Sequence, residues 1–274
     1  MVLLRDADGG MEVFMVKRHG LSDVLGGAWV FPGGKVDAAD AAPAALKRLK
    51  TPLDQLHAAL GEADLDAPTA AGLFVAACRE TFEEAGVLLA ESATALHVDA
   101  AQARAREGLS FSDVLALLEL RLDCDFVVPW MRWVTPRVPL MLNKRFDARF
   151  FLAAVPHDQE PRHDNHEATE GFWLRPREAL QRYWAGEINL APAQIMSLAE
   201  LSRLKDVAAA LAAAQARRPP VIQPEIFMQE EARAVAFPGD ARHPVPERAL
   251  PGPSCLIFRN ERFEPLDGFE ALFA

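Results

Sequence analysis

Two kinds of apolar spacing divide the chain. Residues 11–17, MEVFMVK, concentrate β-branched and aromatic side chains as a strand does, and Trp29-Val30-Phe31 is a short apolar run that stops at Pro32-Gly33-Gly34. This predicts two strands meeting at a glycine turn. Between 38 and 71 the text turns to alanine with acids and lysines, and Leu46, Leu49, Leu53 and Leu56 recur at helical steps, a block interrupted by Pro52. Residues 72–86, GLFVAACRETFEEAG, read as a strong helix stopped by Gly86. Ser110 caps a short helix expected within 109–120. Three strand-like runs follow at 126–136, 145–155 and 171–176, then helical text at 177–183 and 192–217. The tail beyond Arg218 is proline-rich yet keeps Val221-Ile222, Ile226-Phe227 and the run from Cys255 to Phe258, which predicts an ordered extension packed on the main domain. No repeat recurs at solenoid or propeller periods.

Composition narrows the class. With half of its 274 residues apolar and a quarter charged, the chain can bury a full core. Its apolar runs fall short of the roughly 20 residues needed to span a bilayer. Acid and glycine break the opening MVLLRDADGG where a secretory segment would stay apolar, so a cytoplasmic location is expected. Cys78, Cys124 and Cys255 are too few and too scattered for a disulfide framework or a zinc finger. A formal charge of −10 disfavours nucleic acid polymers and anionic membranes as partners. A small anionic substrate would therefore need local cations.

The chemistry concentrates in Arg79-Glu80-Thr81-Phe82-Glu83-Glu84-Ala85-Gly86-Val87. At about 100° per residue, Glu80, Glu83 and Glu84 share one helix face, while Phe74, Cys78, Phe82 and Ala85 share the opposite one. A generic acidic stripe of this kind is most often a solvated surface. Carboxylates so crowded repel one another unless a cation compensates, and hard divalent ions take such oxygen ligands.

This segment resembles the second half of the Nudix box, R-E-U-x-E-E-x-G-U with U apolar, with Thr81 at one U position; FPGGKVD at 31–37 resembles the glycine turn that opens the box. The family pattern places an acid six residues after the second glycine and seven before the arginine. Asp40 meets the first condition, but 38 residues separate it from Arg79, so the box carries an insertion of about 31 residues (38 − 7). The Nudix branch with an insertion here resembles the peroxisomal coenzyme A diphosphatases of mammals. Trp133-Val134-Thr135-Pro136, Arg145-Phe146-Asp147 with Phe150-Phe151, and Leu190-Ala191-Pro192-Ala193-Gln194 are similar to further elements of that branch.

The resemblance implies an α/β (α+β) fold, an α/β/α sandwich with a mixed sheet, in which residues 1–217 form the hydrolase domain, 41–71 a helical insertion and 218–274 the extension. It implies Mg²⁺ or Mn²⁺ on Glu80, Glu83, Glu84 and the Gly33 carbonyl, and hydrolysis of a small diphosphate-containing substrate, coenzyme A or acyl-coenzyme A being favoured. Asp40 would pair with Arg79, which would orient the helix. The general base would be one of these glutamates, Glu83 being the candidate, or an acid of the loop at 157–174, where Glu167 is preferred to Glu170. His157, His163 and His166 of that loop read as residues of a polar surface loop and not as transition-metal ligands. Arg18 fits an upstream coenzyme A motif in which His19 and Asp23 replace a serine and an arginine; Arg137, Lys144 and Arg145 are candidate phosphate contacts, with strand-edge charge as the plain alternative. A homodimer through the tail is compatible with the sequence. Rival readings are a pyrophosphatase for ADP-ribose, NADH or a nucleotide sugar, and a nucleotide-binding module without catalysis, which would not need three crowded carboxylates.

Overall fold

A computed structural model describes residues 1–19, 26–136, 145–162, 168–229 and 231–274. The sheet starts at the N-terminus, where β1 (Val2–Ala7) and β2 (Gly10–Arg18) form a hairpin. Its two-residue turn is Asp8-Gly9, and Gly9 has φ of +103°, a conformation that favours glycine. The short β3 (Trp29–Val30) pairs with β2 and leads into the glycine turn.

The expected leucine face at 46–56 is broken in two. Helix α1 (Pro43–Leu46) and helix α2 (Leu53–Leu60) are separated at Pro52, which caps α2 because its ring cannot continue an earlier helix. Leu49, between them, is buried through an isolated bridge to Leu122. Helix α3 (Ala67–Ala85) takes in the last residues of the alanine-rich block together with the acidic stripe. Asp66 caps it, accepting from Thr69 N at 2.7 Å, and Gly86 ends it at φ of +64°. Helix α4 (Ala95–Arg106) has little periodic apolar signal and was not anticipated; α5 (Phe111–Leu117) begins, as expected, at Ser110.

Strands β4 (Val128–Val134), β5 (Asp147–Ala154) and β6 (Ala168–Leu174) precede helix α6 (Pro176–Trp184). The helical text from 192 splits into α7 (Pro192–Leu201) and α8 (Val207–Gln215), since Asp206 opens a new helix as a side-chain cap. Strand β7 (Val221–Ile222) then joins the main sheet. That sheet runs β3-β2-β1-β5-β4-β7, with β6 against β2, and it is mixed because β1–β5 and β4–β7 are parallel. The tail adds a four-stranded antiparallel sheet of β8 (Glu225–Gln229), β9 (Ala232–Ala236), β10 (Cys255–Arg259) and β11 (Arg262–Glu264).

Strand alternation divides the core. Val2 and Leu4 face a cluster with α6, α7, α8 and the tail residues Phe237 and Leu256, whereas Leu3 faces α1 to α5. The result is an α/β/α sandwich. Among the described residues no helix is long and apolar enough to cross a membrane.

Candidate active site

Helix α3 lies on the sheet through Phe74, Cys78, Phe82 and Ala85, all buried, with Phe74 against Phe151 of β5 at 5.0 Å between ring centroids. That anchoring leaves Glu80, Glu83 and Glu84 on the side of the glycine turn. Thr81, at a position where the family pattern asks for an apolar residue, is fully buried and donates its hydroxyl to the Ala77 carbonyl at 2.6 Å. Its one strong donor is thus satisfied within the helix.

Arg79 organises the cluster. Its Nε and Nη2 donate to the two Asp40 oxygens at 2.8 and 2.9 Å, and its Nη1 to Glu80 at 2.7 Å and Glu83 at 2.9 Å. Nη2 also reaches the Lys35 carbonyl at 2.8 Å, and Asp37 lies 3.9 Å away. Asp40 is buried in a 3-10 turn at Ala38–Ala41, where it also accepts from Asp37 N at 2.8 Å. The insertion therefore begins after the supporting acid, and Asp40 pairs with the arginine across 38 intervening residues.

The glycine turn closes on the same carboxylates. Gly33 N donates to Glu84 Oε2 at 2.6 Å, so the contact runs through the Gly33 amide. At Gly34 a Cβ would overlap the Glu80 carboxylate as it lies here, so a side chain at this position would push that carboxylate aside. Partial burial lifts the Glu83 carboxyl above its ordinary range; Arg79 pulls it back, while Asp40 and Asp37 add to the rise. The Arg79 guanidinium is held charged, first by its bond to Asp40.

One guanidinium thus faces four carboxylates, Asp37, Asp40, Glu80 and Glu83, with Glu84 beside them. The excess negative charge and the all-oxygen donor set suit a hard divalent cation. Glu80 and Glu83 are turned toward Arg79, and among the described residues no three His, Cys, Asp or Glu side chains converge as metal ligands.

Of the candidate substrate contacts, Arg18 ends β2 and its backbone pairs with Ala28 and Ala168, while Arg145 is exposed. Arg137, Lys144 and Glu167 lie outside the described residues, as do His163 and His166. Glu170 pairs with Lys17 at 2.7 Å. Trp130 and Trp133 are both buried, the former donating to Glu200 at 3.3 Å, so they pack as core residues.

The sequence reading missed Gln159. This buried amide accepts from Leu88 N at 2.8 Å and donates to Leu88 O at 3.1 Å, while Arg162 N donates to Ala85 O at 2.9 Å. These bonds fasten the loop after β5 to the end of α3, and a glutamine in polar text gives no signal of it. Asp37 was also passed over, although Asp37 and Asp40 have capping-box spacing.

Comparison with known proteins identifies the family. The NUDT19 Nudix domain model matches residues 6–204. "Putative nudix hydrolase 7" of Caenorhabditis elegans is 27% identical over 246 residues, covering 88% of this chain and 72% of that protein. "Acyl-coenzyme A diphosphatase NUDT19" of Gallus gallus is 29% identical over 241 residues, covering 69% of this chain and 61% of that protein, so the alignment leaves out more than a third of that relative. The crystal structure of a NUDIX hydrolase from Alicyclobacillus acidocaldarius is 28% identical with a TM-score of 0.59, covering 80% of this chain and 94% of that one.

Proposed function

We propose that this chain, which belongs to the family of the NUDT19 Nudix domain and is a Nudix diphosphate hydrolase, cleaves the diphosphate of coenzyme A or an acyl-coenzyme A with Mg²⁺ or Mn²⁺. The observation that supports the reaction is the carboxylate face of Glu80, Glu83 and Glu84 beside the glycine turn, where Arg79 holds Glu80 and Glu83 and the Gly33 amide holds Glu84. The similarity to acyl-coenzyme A diphosphatases and the partial upstream motif at Arg18, Gly27 and Phe31 to Gly34 support the substrate.

In the reaction water adds to one phosphorus, the bridging P–O bond breaks, and two phosphomonoesters form, with two protons released when both products are dianions. Glu80, Glu83 and Glu84 would hold the divalent ion, and the Gly33 carbonyl would add a ligand. The bound ion supplies neutralisation of phosphate charge and a lowered pKa for water. Glu83, the most exposed of the three carboxylates, suits a transient proton acceptor from the attacking water. Glu167 is the alternative base. Arg79 and Asp40 fix the helix against the turn, so that the carboxylates meet the diphosphate in one arrangement.

Glu83→Gln and Glu84→Gln test this assignment. Each is expected to lower kcat by about 100-fold or more with an unchanged thermal unfolding curve. Wild-type rates in both variants would remove the carboxylate face from the mechanism.

A further inference from the structure

A cavity of about 210 Å³ lies between the C-terminal end of α2 and the β5, β4 and β7 part of the sheet. Its lining brings together three guanidinium groups, Arg132, Arg149 and Arg218, against one carboxylate, Glu62, in a chain whose formal charge is −10. Arg132 and Arg149 are cross-strand partners, a pairing that like charges disfavour. They are held there by Glu62 of the insertion, which accepts from Arg149 Nε and Nη2 at 2.9 and 2.7 Å and meets Arg132 Nη1 at 2.8 Å. Asp147 clamps Arg132 from the other side at 2.8 and 2.7 Å and also meets Arg149 Nη1 at 3.1 Å, so two carboxylates balance these two arginines and Arg218 is the remaining cation of the lining.

Each guanidinium has five N–H donors, so both arginines keep donors beyond these bonds while their planes are fixed. Arg218 completes the set. Its side chain lies along Gly61, is exposed, and has no ion-pair partner among the described residues. A staple between insertion and sheet would need neither a third cation nor an open cavity.

One aromatic contact links the cavity to the glycine turn. Phe150 lines the cavity, and the Phe150 ring meets Phe31 edge-on at 5.8 Å, immediately before Pro32-Gly33-Gly34. We propose that Arg218, with Arg132 and Arg149 behind it, forms a subsite for a phosphomonoester dianion that the substrate carries apart from its diphosphate. This rests on the coenzyme A reading, where the ribose 3′-phosphate is such a group. Planar guanidinium forks match phosphate oxygens two at a time. Arg218 is then a specificity-determining residue, and the insertion helps build the subsite by holding Arg132 and Arg149 through Glu62.

The test is calorimetric binding of 3′,5′-ADP and 5′-AMP, which differ only in the 3′-phosphate, to the full chain in EDTA. Wild-type protein is expected to prefer 3′,5′-ADP by about tenfold, the scale of one charge-assisted hydrogen bond, and Arg218→Ala to lose that preference. No preference in the wild type, or a preference that survives in Arg218→Ala, overturns the subsite. Turnover separates the two readings. Cleavage of coenzyme A without a binding preference ends the subsite alone, whereas the preference without cleavage of coenzyme A ends the substrate reading alone.

Discussion

Replacing Asp40 by Asn removes one charge and changes almost no volume, so it isolates what the acid does for Arg79. Asp40 is 3% exposed and accepts three hydrogen bonds, from Arg79 Nε and Nη2 and from Asp37 N, at 2.8, 2.9 and 2.8 Å. Breaking a buried ion pair by removing one partner costs about 3–5 kcal/mol. Asparagine keeps one acceptor oxygen but sets an amide NH₂ against an arginine donor, and Arg79 still has Glu80, Glu83 and the Lys35 carbonyl. The expected loss is therefore below that range, about 2–3 kcal/mol, read as the change in unfolding free energy from urea titrations at pH 7. A second effect follows from the same geometry. Freed from Asp40, the guanidinium settles further onto Glu80 and Glu83 and competes with the cation, so half-maximal activity should need about tenfold more Mg²⁺, within the range for supporting groups around metal sites. A stability change below about 0.5 kcal/mol with unchanged metal dependence would refute this account of Arg79.

Other perturbations follow from contacts elsewhere. Gln159→Leu leaves the Leu88 N–H and C=O buried without their partner and should cost about 2–3 kcal/mol, measured by urea unfolding; an unchanged midpoint would mean the clamp is idle. Asp240 is buried, and bonding to Arg242 and Ser254 holds its carboxyl well below the usual range. A depressed folded-state pKa gives stability that is present above the unfolded value near 4 and lost as pH falls toward the folded value. Asp240→Asn should accordingly cost about 1–2 kcal/mol at pH 7, discounted because Arg242 is 40% exposed, with the gap shrinking below pH ~4. A gap of constant size across that range would contradict the linkage.

What could be read in the chain was whatever rests on local spacing. The carboxylate stripe, the opposing Phe74, Cys78, Phe82 and Ala85, and the stop at Gly86 follow from helical periodicity, and the structure places each on its expected face. Ser110 and the strand runs were legible for the same reason. Strand β1 is not among the runs that apolar spacing predicts; Asp8-Gly9 is the hairpin signal that marks it. Long-range polar contacts were not legible. Nothing in sequence links Gln159 to Leu88, or Glu62 of the insertion to Arg132 and Arg149, since those pairs are made by the packing of α2, α3 and the sheet. The pairing of Asp40 with Arg79 was expected only through the family resemblance; spacing alone would have set them far apart.

The most direct test of the central claim is incubation of the purified chain with Mg²⁺, then Mn²⁺, and coenzyme A, acyl-coenzyme A, ADP-ribose, NADH and dinucleoside polyphosphates, with products identified by mass. Release of 3′,5′-ADP from coenzyme A or its acyl esters, abolished by EDTA, is the predicted result. Intact substrates throughout, with either metal, would contradict it.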